Sequence, residues 1–137
     1  MDDIRPTGRV GAKGPEHVPT PSAAGIAVVA PNFKRRLTGV TSTIATIVPI
    51  QARQMPVAAV GPGLPPRVPH ISLAQVVVHG WSAPPCRPFR IWHARRNSEM
   101  LAGGLLRRIL RQRLRLVFTS AAQRRHTAWT KFLLRRV

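Results

Sequence analysis

Acidic residues are scarce in this sequence. The chain of 137 residues holds 4 Asp or Glu against 22 Lys or Arg, which gives a formal net charge of +18. The acids are Asp2, Asp3, Glu16 and Glu99, so the 82 residues between Glu16 and Glu99 contain no carboxylate side chain. Paired-acid catalysis, carboxylate-bound Mg²⁺ or Ca²⁺, and a histidine oriented by an acid all lack the residues they need. We therefore predict a protein that is not an enzyme and needs no cofactor.

Cysteine is almost absent as well. Cys86 is the only one, so an internal disulfide, the usual support of small secreted domains, is excluded. Two acids follow Met1 directly, and no apolar stretch of signal-peptide length comes after them. The longest charge-free runs, 37–52 and 68–86, are too short or too rich in proline for a spanning helix. These features predict an intracellular, non-secreted protein, with no indication of its compartment.

Nitrogen and sulfur ligands for zinc are present but poorly spaced. His79, Cys86 and His93 follow one another at seven-residue steps, and His70 precedes them. Structural zinc sites are usually built from close pairs of ligands, two to five residues apart, and no such pair occurs here. A nucleophilic role for Cys86 would also need an oriented base. We predict neither a metal site nor catalytic residues.

Proline and glycine divide the chain into two regions. All 14 prolines and 8 of the 10 glycines lie at or before Pro88, whereas residues 89–137 contain no proline. The charge follows the same boundary, because residues 1–88 carry +6 and residues 89–137 carry +12. We predict a Pro/Gly-rich region of low order over 1–88 and an Arg-rich amphipathic helical region over 89–137.

Three short apolar runs interrupt the Pro/Gly-rich region. They are Ala23–Ala30, Thr41–Ile50 and His70–Trp81, and their β-branched residues favour short strands. Their spacing is irregular and no repeat is present, so the region is predicted to be mostly disordered or irregular with a few such strands. A small, marginal β-domain is the alternative.

The proline-free region has helical periodicity. Asn97 and Ser98 are candidate N-caps, Glu99 lies where a helix dipole favours an anion, and strong helix formers follow. We predict a long amphipathic helix over about Glu99–Phe118 and a second, shorter one over about Ala121–Arg136. An alternative interpretation makes Leu110–Phe118 an amphipathic strand, since apolar residues and arginines also alternate there.

Nucleic-acid binding is the function that the arginines favour. Arginines beside aromatic residues suit phosphate contacts and base stacking, with RNA preferred to DNA. The predicted contacts include a four-arginine stripe on the long helix and basic or aromatic residues on either side of it. They are Arg107, Arg108, Arg111, Arg115, Arg95, Arg96, Arg124, Arg125, Trp92 and Trp129.

Other interpretations fit the same residues. A leucine face opposite an arginine face also describes a helix on an anionic membrane surface. The leucine face of residues 101–118 could equally dock on a protein partner. A GC-rich coding sequence favours Arg, Ala, Pro and Gly whatever the protein does, so a reading frame without a selected function is a further alternative.

Overall fold

A computed structural model of the chain describes residues 22–36 and 38–119, together with Phe132 and Arg135. These residues form an α/β fold rather than a disordered region followed by helices. Its strands are β1 (Val28–Pro31), β2 (Val57–Val60), β3 (His70–Ile71), β4 (Arg90–Ala94) and β5 (Leu114–Phe118). Its helices are α1 (Gly39–Gln51), α2 (Leu73–His79) and α3 (Asn97–Arg108). A short 3-10 turn at Ala23–Gly25 precedes β1.

All five strands are parallel, in the order β3-β2-β1-β4-β5. The chain starts at the centre of the sheet, moves outward through β2 and β3, and returns across β1 to place β4 on its other side. In register, Val29 of β1 lies between Ala58 of β2 and Trp92 of β4. This arrangement is a doubly wound parallel sheet, in which the direction of strand order reverses between β1 and β4.

Helix α1 covers one face of the sheet. Its buried residues, Thr41, Ile44, Ala45 and Val48, recur at helical spacing and pack on the β1 and β2 side chains of that face. The Thr38 hydroxyl caps the helix by accepting a hydrogen bond from the Thr41 N–H at 3.4 Å.

Helices α2 and α3 pack on the opposite face. Helix α2 begins with a capping box in which Ser72 and Gln75 exchange hydrogen bonds. Val76 of α2 and Met100 and Leu106 of α3 join Val29 and Trp92 in the larger of the two cores. The sheet is therefore buried on both faces, as parallel sheets require.

A buried arginine ties the start of β4 to its neighbours. Arg90 is 2% exposed and donates hydrogen bonds to backbone carbonyls of Ile26, Ala24 and His79, with 2.8 Å to Ile26 and 2.7 Å to Ala24. Burial lowers the pKa of its guanidinium. The planar fork of the side chain lets it reach several carbonyls at once, which a lysine could not do.

The prediction of a mostly irregular Pro/Gly-rich region is wrong. Five of its segments are regular elements of the sheet and its covering helices, namely β1, α1, β2, β3 and α2, and the run Thr41–Ile50 lies in α1 instead of a strand. The β-branched residues of that run favour a strand by propensity. In the structure, the hydroxyls of Thr43 and Thr46 donate to carbonyls one turn earlier, at 2.8 and 3.0 Å, and burial of one face stabilises the helix.

The prediction of one long helix over Glu99–Phe118 is also wrong. Helix α3 ends at Arg108, and Arg111 then adopts a positive φ of 49° before β5 begins. The segment 114–118 is the amphipathic strand of the alternative interpretation, paired with β4 along its whole length. The second predicted helix, Ala121–Arg136, lies outside the described residues except for Phe132 and Arg135.

The predicted boundary at residue 88 falls in the loop before β4. Strands from both sides of that boundary pair directly, since β1 is hydrogen-bonded to β4. Among the described residues, no helix combines the length and the apolar character needed to cross a bilayer.

Candidate functional site

The loops that follow β1, β2 and β4 meet at the carboxyl edge of the sheet. The reversal of strand order between β1 and β4 opens a crevice there, and ligands of doubly wound sheets bind in such crevices. Helices α1 and α3 both begin at this edge, one after each of the two strands. We call this place the switch crevice and define it by residues 32–36, 38–41, 61–63 and 95–99.

Asn32 is the centre of the hydrogen bonds that shape the switch crevice. It follows β1 and is fully buried. Its amide nitrogen donates to the carbonyls of Lys34 at 3.0 Å and Pro62 at 2.9 Å. Its side-chain oxygen accepts from the Thr41 hydroxyl at 3.1 Å and from Nη1 of Arg96 at 3.0 Å. One side chain thus joins the loops after all three strands.

Arg96 and Glu99 form the second part of this network. Arg96 Nη1 lies 3.2 Å from Glu99 Oε1, and Arg96 Nη2 donates to the Thr38 hydroxyl at 2.5 Å. Glu99 Oε2 accepts the backbone N–H groups of Arg95 and Arg96 at 2.8 and 3.1 Å. Burial raises the pKa of Glu99, although these hydrogen bonds and the neighbouring arginines oppose the rise. Because its oxygens are committed, Glu99 is a positioning residue for the β4–α3 loop.

Two glycines after β2 let this loop approach the β1 loop closely. Gly61 has φ +116°, and a Cβ there would lie 1.9 Å from the Asn32 carbonyl oxygen. Gly63 has φ +75°, and a Cβ there would lie 2.7 Å from the Arg35 carbonyl oxygen. Both the backbone conformation and the contact exclude a side chain. Residues 61–66 also line a concavity of about 370 Å³ with Val68 and His70.

The switch crevice is strongly basic. Lys34, Arg35 and Arg36 are exposed in the loop after β1, and Arg95 and Arg96 follow β4. Arg95 is half-buried, and burial lowers the pKa of its guanidinium while Glu99 raises it. Its Nη1 is buried without a hydrogen-bond partner in the described part of the chain. Of the described residues, Glu99 alone carries a carboxylate side chain.

Three of the sequence-predicted site residues lie at or next to the switch crevice. Arg95 and Arg96 belong to it. Trp92 lies on β4 just before them and is fully buried, with its indole N–H donating to the Glu99 carbonyl at 2.8 Å. Its ring centroid is 6.3 Å from that of Phe33, so the indole is part of the core.

The predicted arginine stripe is dispersed by the fold. Arg107 and Arg108 end α3 near the amino edge of the sheet, and Arg111 lies in the following turn. Arg115 lies on β5, where its guanidinium carbon is 4.1 Å from the ring centroid of Phe89. The remaining predicted residues, Arg124, Arg125 and Trp129, lie outside the described residues.

Two of the four candidate zinc ligands make hydrogen bonds within the protein. His70 Nε2 is 2.9 Å from the Gly61 carbonyl, and His93 Nε2 is 2.8 Å from the Thr119 hydroxyl. In the ranges that the structure describes, no three His, Cys, Asp or Glu side chains come together as a metal site would require.

Sequence reasoning missed the residues that build the switch crevice. Asn32, Thr38 and Thr41 are short polar residues of ordinary type, and Asn32 and Thr38 accept hydrogen bonds from Arg96, which is 64 and 58 residues away. The signal that could have found them is local: a buried strand ends at Pro31-Asn32, and Thr38-Gly39 then begins a helix. Gly61 and Gly63 lie in a Pro/Gly-rich stretch between two apolar runs, and glycines at such a place mark a close backbone approach.

Two curated relatives match most of this chain. It is 56% identical over 113 residues to a protein of Rhizobium meliloti (strain 1021) named lipopolysaccharide core biosynthesis mannosyltransferase LpsB. It is 52% identical over 118 residues to one of Rhizobium leguminosarum bv. viciae named lipopolysaccharide core biosynthesis mannosyltransferase LpcC. These matches cover 82% and 85% of this chain but 32% and 33% of the relatives.

The chain thus spans about a third of the length of the curated relatives it matches. No family model matches it. No solved structure matches it either.

These relatives correct the predicted function. Both are named as enzymes that act in lipopolysaccharide synthesis, so the predictions of a non-enzymatic protein and of nucleic acid, an anionic membrane surface or a leucine-face protein as its partner are wrong. The prediction of a non-enzymatic protein rested on the scarcity of acidic residues in this chain. Because the chain matches only about a third of each relative, that scarcity does not limit the chemistry of the whole relative. What this chain resembles closely is part of a lipopolysaccharide core mannosyltransferase.

Proposed function

We propose that this chain forms part of a glycosyltransferase that transfers mannose to the core saccharide of lipopolysaccharide. The observation that carries the proposal is its identity of 56% and 52% to two proteins named as such transferases. Identity at this level extends over more than four fifths of the chain and therefore includes most of the described fold.

The switch crevice supports a role in holding a sugar-containing ligand. Saccharides are recognised by hydrogen bonds to their hydroxyls, and the exposed ammonium and guanidinium groups of Lys34, Arg35 and Arg36 at the crevice are donors for such bonds. The amide, hydroxyl and guanidinium groups of Asn32, Thr41 and Arg96 bond to each other, so the loops are held in place before a ligand arrives. The described residues therefore contribute binding and orientation.

A segment exchange tests the proposal directly. The matching 113 residues of the LpsB relative are replaced by those of this chain, and the purified chimera is assayed for transfer of labelled mannose to core saccharide. We expect activity within about tenfold of the parent, because equivalent orientation of the substrates is retained. A chimera that folds, as shown by circular dichroism, but transfers no mannose would contradict the proposal.

Two further substitutions locate the effect within the chimera. Arg96→Ala removes the side chain that joins Asn32, Thr38 and Glu99, and a displacement of the loops is expected to reduce turnover by roughly 100-fold. Arg53→Ala is the control, since Arg53 is exposed after α1, at the opposite edge of the sheet. It should leave turnover unchanged.

A further inference from the structure

An exposed apolar surface lies at the amino edge of the sheet, away from the switch crevice. Val78 lies in the last turn of α2 and Trp81 follows that helix, while Ile109 and Leu110 follow α3. Val78 and Ile109 are 67% and 69% exposed, and Trp81 is 49% exposed. The Trp81 indole N–H donates to the Leu110 carbonyl at 2.7 Å, so the two pairs of residues are neighbours. We call these four residues the amino-edge surface.

Hydrogen bonds between the two turns hold this surface in place. The Arg113 N–H donates to the Gly80 carbonyl at 3.1 Å, and Gln112 Nε2 donates to the Val77 carbonyl at 3.0 Å. A Cβ at Gly80 would collide with the Gln112 amide, so the turns are in close contact. An exposed apolar patch that is bordered by polar groups is typical of an interaction site.

Arginines border the amino-edge surface. Arg111 directly follows Leu110, Arg113 comes two residues later, and both side chains are exposed. Glu99, the only carboxylate side chain in the described ranges, follows β4 at the opposite edge of the sheet. Charges at an interface are arranged to meet charges of opposite sign. The segment that covers this surface is therefore expected to combine apolar and acidic residues.

The described part of the chain begins beside this surface. Arg90 Nη2 donates to the Ala24 carbonyl at 2.7 Å, and Arg90 Nη1 donates to the Ser82 carbonyl at 3.3 Å. One guanidinium thus joins the 3-10 turn that opens the described chain to the turn that carries Trp81. Residues 1–21 therefore connect to the fold next to the amino-edge surface.

Residues 1–21 have the composition that this surface requires. They contain every acid of the chain except Glu99, namely Asp2, Asp3 and Glu16. Ile4 directly follows the acid pair, and the basic residues of the segment come after it. A chain of this length reaches about 70 Å when extended. Attachment to the same molecule gives it an effective concentration in the mM range, so weak contacts are enough for docking.

We propose that residues 1–21 dock on the amino-edge surface, with Asp2 and Asp3 against Arg111 and Arg113. Ile4 then covers part of the exposed apolar side chains. A second copy of the chain is a poorer occupant, because the same surface on both copies would bring like charges together. The inference does not depend on the proposed function, since no residue of the switch crevice takes part.

Cys86 provides a probe for this docking. It is the only cysteine of the chain, is exposed, and lies in the loop between Trp81 and β4. A benzophenone maleimide on Cys86 of the intact chain is photoactivated, and mass spectrometry locates the crosslinked residues. An equal mixture of ¹⁵N-labelled and unlabelled chain distinguishes crosslinks within one chain from those between copies. We expect crosslinks within one chain to residues 1–5.

Matched variants separate docking from general attraction. Arg111→Gln/Arg113→Gln should lower the yield of this crosslink about two- to fivefold, because two exposed ion pairs are lost. Arg53→Gln/Arg67→Gln removes the same charge from exposed positions after α1 and between β2 and β3, and should leave the yield unchanged. Circular dichroism verifies that each variant is folded, which exposed positions should not affect.

An exchange of charges identifies the pairing itself. Arg111→Glu/Arg113→Glu should lower the yield further, and the addition of Asp2→Arg/Asp3→Arg should restore it, as expected for residues that interact. Asp2→Asn/Asp3→Asn changes only residues outside the described fold and should lower the yield as much as Arg111→Gln/Arg113→Gln does. Crosslinks between copies, or crosslinks confined to residues 17–21 beside the point of attachment, would overturn the inference. So would an equal loss in the Arg53→Gln/Arg67→Gln control.

Discussion

Single buried polar residues determine where the loops of the switch crevice lie. Asn32 and Glu99 are fully buried, and their hydrogen bonds reach loop backbone, Thr41 and Arg96. Loss of one partner in such a network leaves the other unsatisfied, at a cost of about 1–3 kcal/mol. The exposed cations beside them carry no such constraint. Positions that shape the crevice and positions that would contact a ligand are thus different residues.

His93 gives the folded protein a predictable response to acid. Burial lowers the pKa of His93 below its ordinary value of 6.5, and the nearby Arg95 lowers it further. In the unfolded chain His93 binds a proton near pH 6.5, whereas in the folded chain it stays neutral to lower pH. The unfolded state therefore binds more protons in this window, and the free energy of unfolding should fall as the pH drops below 6.5.

The variant His93→Gln isolates this contribution. Urea unfolding is measured at several pH values between 7.5 and 5 for both proteins, and the difference in unfolding free energy between them is plotted against pH. Contributions from Glu99 and the other histidines cancel in the difference as long as their environments are unchanged. We expect the parent to lose stability more steeply than the variant below pH 6.5. Parallel curves would show that His93 has the same proton affinity in both states.

At the scale of elements, two adjacent glycines in α3 have opposite roles. A Cβ at Gly103 would lie 2.5 Å from Cδ1 of Trp92, whose ring is buried and hydrogen-bonded. Gly104 has open space at the corresponding position. Gly103→Ala should destabilise the protein by about 1–3 kcal/mol, because the indole must move. Gly104→Ala should stabilise it by up to about 1 kcal/mol through helix propensity.

Denaturant unfolding of the two variants checks this pair. Both substitutions add one methyl group to the same helix, so each is the control for the other. Stabilisation by both would mean that Trp92 tolerates the added methyl group and that propensity alone governs α3. Destabilisation by both would mean that the helix backbone near Gly104 is strained by a side chain.

The elements also show what local pattern could and could not predict. The start of α3 was predicted within two residues from the acid in its first turn, although its N-cap is Arg96 and not Asn97 or Ser98. The alternation of Leu114–Phe118 was also visible, because a two-residue period is a local signal. The carboxyl end of α3 and the helical conformation of α1 were not predicted. Leucines and arginines favour a helix through Phe118, and only pairing with β4 makes that segment a strand. In α1, burial against the sheet outweighs the strand propensity of its threonines.

At the scale of the whole molecule, composition and architecture divide the chain differently. Prolines and glycines are concentrated before residue 89, which predicted low order there. Many of them lie in the short connections between elements, for example Pro62, Pro65 and Pro66 after β2. A parallel sheet needs long crossover connections, so its strand partners are remote in sequence and leave no local signal. The switch crevice is formed by the loops that follow β1, β2 and β4, and its residues could not be grouped before the strand order was known.

The pairing of β1 with β4 makes residues 1–88 and 89–137 depend on each other. Separated at the compositional boundary, the first fragment loses β4 beside its central strand and Trp92 beside Phe33. The second keeps β4, β5 and α3 but loses the central strand and the contacts of Arg90 with Ile26 and Ala24. We expect neither fragment alone to show slow amide exchange, whereas β1 of the intact chain should exchange slowest. The measurement is hydrogen exchange by mass spectrometry on both fragments and the intact chain at one pH. Native-like protection of β1 in the isolated fragment 1–88 would contradict the prediction, because β1 would then be stable without the strand that the fold places beside it.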